Sequence, residues 1–143
     1  MSHDTASPSR ASIDRVVETV AALPGVGTAP HRFGGTEFTL RGRELGHVHA
    51  DGYLDISYPR AVRDALVAEG WTGPHHLYPD SGWTTFHLTV PANVAHATAL
   101  VTLSYLWHAA ALSKRHADVP APDTEGELAR LDAPASVRRL FAR

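Results

Sequence analysis

Residues 43–57 read Arg43-Glu44-Leu45-Gly46-His47-Val48-His49-Ala50-Asp51-Gly52-Tyr53-Leu54-Asp55-Ile56-Ser57. Strand-like runs flank Asp51-Gly52, the pattern of two half-buried strands joined by a tight turn. Asp-Gly favours such a turn because a two-residue type I′ connection needs positive φ at both central residues. A two-residue turn pairs Ala50 with Tyr53, His49 with Leu54, Val48 with Asp55 and His47 with Ile56. Directly opposed residues share a face. This register sends His47 and His49 to the side of Leu54 and Ile56, and Glu44, Val48, Tyr53 and Asp55 to the other. A slip of one residue in one strand would reverse that strand's sidedness.

Outward from the hairpin the chain keeps alternating periods. Upstream, residues 36–40 form a further strand and Gly42 a turn. Earlier still, Ile13, Val16, Val17, Val20 and Leu23 recur at helical spacing behind a Ser12 cap, and Pro24-Gly25 ends that helix. Downstream, Pro59 suits the first position of a helix, where its missing N–H costs nothing. Val62, Ala65 and Leu66 give this helix an inner face, and Gly70 a left-handed exit. Residues 71–82 form a loop and residues 83–89 a strand. Pro91 opens the longest helix, to about Leu112, with Val94, Ala97, Val101, Tyr105 and His108 on one stripe.

Tight turns join these strands, with no regular helical crossovers, so the fold class is α+β: a mainly antiparallel sheet packed against about three helices. The helices cover one face and leave the other, or one end, for a site. Residues 1–11 read as a disordered start, residues 12–116 as the single domain, and residues 117–143 as a Pro/Ala linker with a short helical tail around 125–131 and 136–141.

Composition narrows the chemistry. The 143 residues amount to one domain. With 43% hydrophobic and 20% charged residues the chain is globular and not disordered. No apolar run reaches the ~20 residues that span a bilayer, and the start lacks the apolar core of a signal peptide. A cytoplasmic protein with no membrane partner is expected. The net charge of −2 gives no footprint for nucleic acid. The absence of cysteine removes disulfides, thiolate metal sites and cysteine nucleophiles. Ser81, in Asp80-Ser81-Gly82, lacks the elbow of a serine hydrolase. Gly25-x-Gly27 and Gly34-Gly35 lack the spacing of a phosphate loop.

Ten histidines are the anomaly. Buried neutral imidazoles act as bases or metal ligands. His47 and His49 lie on one strand face, His75-His76 lies in the loop, and His87 shares parity with Trp83 and Thr85. His3, His31, His96 and His116 are expected in solvent, and His108 in a packing role. A metal held by His47, His49 and a third imidazole is open on these residues, although no strong zinc spacing occurs.

Several separated segments carry a family resemblance. They are Arg43-Glu44-Leu45-Gly46-His47-Val48-His49, Asp51-Gly52, Asp55-Ile56, a Pro-Arg-led helix, Gly70-Trp71, Pro74-His75-His76, Pro79-Asp80-Ser81-Gly82-Trp83-Thr84-Thr85-Phe86 and Leu103-Ser104-Tyr105-Leu106. Together, from Phe38 to His108, they resemble the small bacterial luciferase-domain proteins, which are similar to the catalytic domain of fungal luciferases. That resemblance implies an oxygenase without added cofactor, acting on an enolisable, hydroxypyrone-like ring. A cyclic peroxide then loses CO2. It matches Glu44, His47 and His49 to a Glu-x-x-His-x-His segment, Gly70, Trp71 and His75 to a Gly-Trp and nearby His, and Trp83 to Phe86 to a Trp-Thr-Phe segment. The chain has Gly52 where the fungal segment has a further histidine, and His76 where the fungal loop has proline.

The chemistry asks for a base, an oxyanion partner and a dry aromatic pocket. The expected catalytic residues are His47, His49 and His75 or His76. The expected walls around a small aromatic or pyrone-like ligand are Trp71, Tyr78, Trp83 and Phe86, with His87 beside them, and the orienting residues are Glu44 and Asp55. Two alternatives stand beside this one: a non-catalytic small-molecule-binding or interaction module on the same fold, and a histidine-metal enzyme.

Overall fold

The computed structural model describes residues 10–142. Its centre is the hairpin of β3 (Arg43–Val48) and β4 (Tyr53–Ser57). The connecting loop holds three residues, Ala50, Asp51 and Gly52, where two were expected. His49 N–H donates to Tyr53 O (2.7 Å), and Gly52 N–H donates to His49 O (2.9 Å). Gly52 sits at φ +93°. That left-handed residue closes a type I turn into a three-residue loop, and glycine adopts it without strain.

The ladder therefore pairs Gly46 with Ile56, His47 with Asp55 and Val48 with Leu54. It lies one residue from the expected register and corrects it. His47 and His49 share a face with Asp55, while Val48 joins Leu54 and Ile56 on the other.

A second irregularity acts on Glu44. β2 (Gly35–Leu40) pairs Phe38 with Gly46, then Thr39 with Glu44. Leu45 is the extra residue of a β-bulge. It turns into the core and is fully buried, which brings Glu44 round to the face of His47. Ser104 Oγ lies 3.0 Å from Leu45 O and 2.7 Å from Ser57 O, so its hydroxyl serves both carbonyls beneath the sheet. Gly46 allows the close approach of β4, because a Cβ there would lie 2.7 Å from Asp55 O.

The sheet is antiparallel throughout. Its remaining strands are β1 (Val26–His31), β5 (Gly73–Pro74) and β6 (Trp83–His87), in the order β1-β2-β3-β4-β6-β5. β1 was not expected, since Gly27 and Pro30 are poor strand residues; an edge position tolerates them. β5 lies inside the stretch expected to be loop, and β6 ends two residues earlier than expected.

The helices are α1 (Arg10–Ala21), α2 (Arg60–Ala68), α3 (Val94–Ser113), α4 (Thr124–Arg130) and α5 (Ala135–Phe141). Residues 1–9 of the expected disordered start lie outside the described residues, and α1 already includes Arg10 and Ala11. Pro91–Asn93 forms a 3-10 turn ahead of α3. α3 is apolar on all sides and not along a single stripe, which is the mark of a central helix. It lies against β2, β3 and β4 on one side, with α1 and α4 also against it. Val119, Leu128, Ala133 and Val137 from the last third of the chain join the same hydrophobic cluster, and Asp123 caps α4 by accepting from Gly126 N–H.

The core collects Phe38, Leu40, Leu45, Val48, Leu54 and Ile56 from one sheet face, against Val16, Val20, Val62, Leu66 and the buried side chains of α3. Each fully buried aliphatic side chain contributes roughly 1.5–3 kcal/mol. The opposite face carries polar residues. Among the described residues, no helix is long and apolar enough to cross a membrane.

Candidate functional site

Asp55 is the hub of the polar face. It is 1% exposed and, among the described residues, has no arginine or lysine partner in an ion pair. Its carboxylate is surrounded by imidazoles. Oδ2 lies 2.9 Å from His49 Nε2, 3.2 Å from His47 Nε2 and 3.7 Å from His75 Nε2. Oδ1 accepts from Thr85 Oγ1 at 2.7 Å and lies 3.6 Å from His76 Nδ1. β3 and the residue after it supply His47 and His49, β6 supplies Thr85, and the β5–β6 loop supplies His75 and His76. Burial alone would raise the Asp55 pKa. Hydrogen bonds from His47, Thr85 and His49, with the charge of His75, instead hold it well below the usual carboxylate range.

His47 bridges two carboxylates. Its Nδ1 lies 2.5 Å from Glu44 Oε2, and its Nε2 faces Asp55. Burial pulls its pKa down, but the hydrogen bonds and charges of Asp55 and Glu44 win and raise it to about 9. His31 stacks on it with ring centroids 3.9 Å apart, and its own Nδ1 lies 3.2 Å from Glu37 Oε1.

Hydrogen bonds determine the tautomers of the loop histidines. His75 Nδ1 accepts from the backbone N–H groups of Leu77 and Tyr78, both at 3.1 Å. Nδ1 is therefore unprotonated, and Nε2 carries the proton toward Asp55. Burial, and then the neighbouring imidazoles, lower the His75 pKa against the pull of Asp55. Thr85 gives its one hydroxyl proton to Asp55. It therefore accepts from His76 N–H (3.2 Å) and from His76 Nδ1–H (3.0 Å). A neutral His76 is left with its lone pair on Nε2, and its side chain is 37% exposed.

Glu44, Asp55 and the four imidazoles around it line an open cleft of about 470 Å3, together with His31, Arg32, Leu77, Tyr78 and Trp83. Of the expected catalytic residues, all four, His47, His49, His75 and His76, are at the cleft. Glu44 and Asp55 are there too. Tyr78 and Trp83 form walls, with Trp83 5.8 Å from His47 and Tyr78 stacked 5.4 Å from His75.

Three expected residues lie elsewhere. Trp71 and Phe86 lie against His96, and both pack on the core. Phe86 pairs with Leu54 and so falls on the core face. His87 stacks on Tyr53 at 4.1 Å, outside the cleft lining. His96, expected in solvent, is partly buried, with its Nε2 2.7 Å from Trp71 O. His108 lies 3.5 Å from an Arg43 nitrogen, away from the cleft. His3 lies outside the described residues.

Sequence reasoning missed His31, Arg32, Glu37 and Thr85. The parity of β6 could have given Thr85, which shares the face of Trp83. His31 had no such signal, because its strand was not recognised.

Three donor sets have ligating atoms within 4.8 Å of one another: His31, Glu44 and His47; His47, His49 and Asp55; and Asp55, His75 and His76.

Residues 42–104, less than half of the chain, match the family model of the Luciferase domain. The matched segment contains Glu44, His47, His49, Asp55, His75, His76, Trp83 and Thr85, and excludes His31 and Glu37. No curated protein and no solved structure matches the chain.

Proposed function

We propose that the cleft binds a flat, enolisable ring compound of the hydroxypyrone kind and oxygenates it. One observation carries this reading. Four imidazoles converge on one buried carboxylate, beside aromatic walls, within the segment that matches the Luciferase domain.

His76 is the base in this scheme. Thr85 and Asp55 hold its proton on Nδ1, so Nε2 presents a lone pair to a ring hydroxyl. Such proton transfer contributes typically 10²–10⁴-fold. The enolate carbon then gives two electrons to O2 and bonds to it as a peroxide, so no external reductant is required. Trp83 and Tyr78 stack on the ring. Arg32 places positive charge at the cleft for the developing anion.

The test is oxygen uptake and ¹⁸O incorporation with a simple 3-hydroxy-2-pyrone. The chain should consume one O2 per pyrone, and His76→Gln should lose at least 100-fold in rate while keeping its melting temperature. Equal rates in the two proteins remove His76 as the base. No uptake above the uncatalysed rate removes the proposed reaction.

A further inference from the structure

We infer that His47, His49 and Asp55 form a facial site for one divalent metal ion, of the ferrous class, in the floor of the cleft. Three observations support it. First, two donors each ~2.0–2.1 Å from one ion lie about 2.9–3.4 Å apart in octahedral or tetrahedral geometry. Asp55 Oδ2 lies 2.9 Å from His49 Nε2 and 3.2 Å from His47 Nε2, so both carboxylate–imidazole pairs already have that spacing, and all three ligating atoms lie within 4.8 Å of one another.

Second, the backing groups are in place. A metal-bound histidine normally gives its other ring N–H to a carboxylate or carbonyl. Glu44 stands behind His47 in that role, and Thr85 holds the second oxygen of Asp55.

Third, the other two donor sets fail. His75 carries its proton on Nε2, because two backbone N–H groups occupy Nδ1, so that nitrogen has no lone pair for a metal. Glu44 Oε2 and His47 Nδ1 are only 2.5 Å apart, too close for two ligands of one ion.

The set that remains is two histidines and one carboxylate, all reaching the open cleft. That composition with vacant positions suits non-haem ferrous iron, and a chain without cysteine offers no softer donor. The inference rests on the cleft being the working site, and it assigns His76 no metal-ligating role.

The experiment uses the full chain without a histidine tag, stripped with a chelator and titrated anaerobically with Fe²⁺ by calorimetry. One equivalent should bind saturably. His49→Ala should weaken binding by at least 100-fold and Glu44→Gln by about 10–100-fold, each with an unchanged circular dichroism spectrum. Cobalt(II) should bind at the same stoichiometry and give visible absorption that His49→Ala abolishes.

No saturable uptake, or equal affinity in His49→Ala, overturns the site. Turnover of the pyrone by a stripped chain that takes up no iron overturns the metal and leaves the proposed reaction standing. Iron uptake as described, in a chain that neither binds nor consumes the pyrone, leaves the metal site and removes the proposed reaction.

Discussion

On one face of β3 and β4, Leu45, Val48, Leu54 and Ile56 are each at most 1% exposed and pack beneath α3. On the other face, one Cβ away, Glu44, His47, His49 and Asp55 exchange hydrogen bonds around an open cleft. The two faces alternate along the same strands, so one register serves both. The dry face is held by many weak, non-directional contacts, each replaceable by a similar volume. The polar face is held by few directional contacts around one carboxylate, where each partner's position matters.

The largest expected effect comes from a change that damages both faces. In Gly46→Val the new Cβ would meet Asp55 O at 2.7 Å and Ile56 Cα at 3.2 Å, both backbone atoms that cannot step aside. We expect a loss above about 4 kcal/mol, enough to unfold a marginal domain. A urea midpoint equal to wild type would show that β3 and β4 can separate without cost.

Next is a matched pair that separates the faces. Leu54→Ala should cost about 2–5 kcal/mol, as large-to-small core changes do. His49→Ala should cost only about 1 kcal/mol, since Asp55 keeps His47 and Thr85 as donors. Both are read from urea unfolding in one buffer. Equal losses would mean that the polar face is as structural as the core.

An effect smaller than that of Leu54→Ala is expected at the turn. Gly52→Ala places a Cβ at φ +93°, and the left-handed region costs an ordinary residue about 1–2 kcal/mol. A midpoint shift outside that range, in either direction, would mean that the loop does more than set the register.

Much of this was legible. The Asp51-Gly52 turn, the flanking strands and α1, α2 and α3 follow from local periodicity and turn chemistry. So does the α+β class. The matched segment, residues 42–104, falls inside the span of the resemblance, Phe38 to His108.

The rest depends on contacts distant in sequence. Asp-Gly supports both a two-residue and a three-residue loop, and only the packing of Val48, Leu54 and Ile56 against α3 selects between them. The two-residue choice left Glu44 and Asp55 apart from the histidines. The three-residue loop brings Asp55 over, and the Leu45 bulge brings Glu44. Trp71 and Phe86 looked like cleft walls by residue type, but β4–β6 pairing turns Phe86 to the core, and Trp71 follows α2 through its N–H bond to Leu66 O (2.9 Å). His31 was invisible because Gly27 and Pro30 mask an edge strand whose ladder partner is β2.

Local chemistry alone thus determined which segments become strands and helices, where the chain turns, and that the chain would be rich in imidazole without any thiol. Those properties rest on φ preferences and side-chain type over a few residues. The tertiary structure alone decided which imidazoles meet, on which face, and around which carboxylate. A shift of one residue moves every side chain across the sheet, and the energy that opposes it comes from the core on the far side.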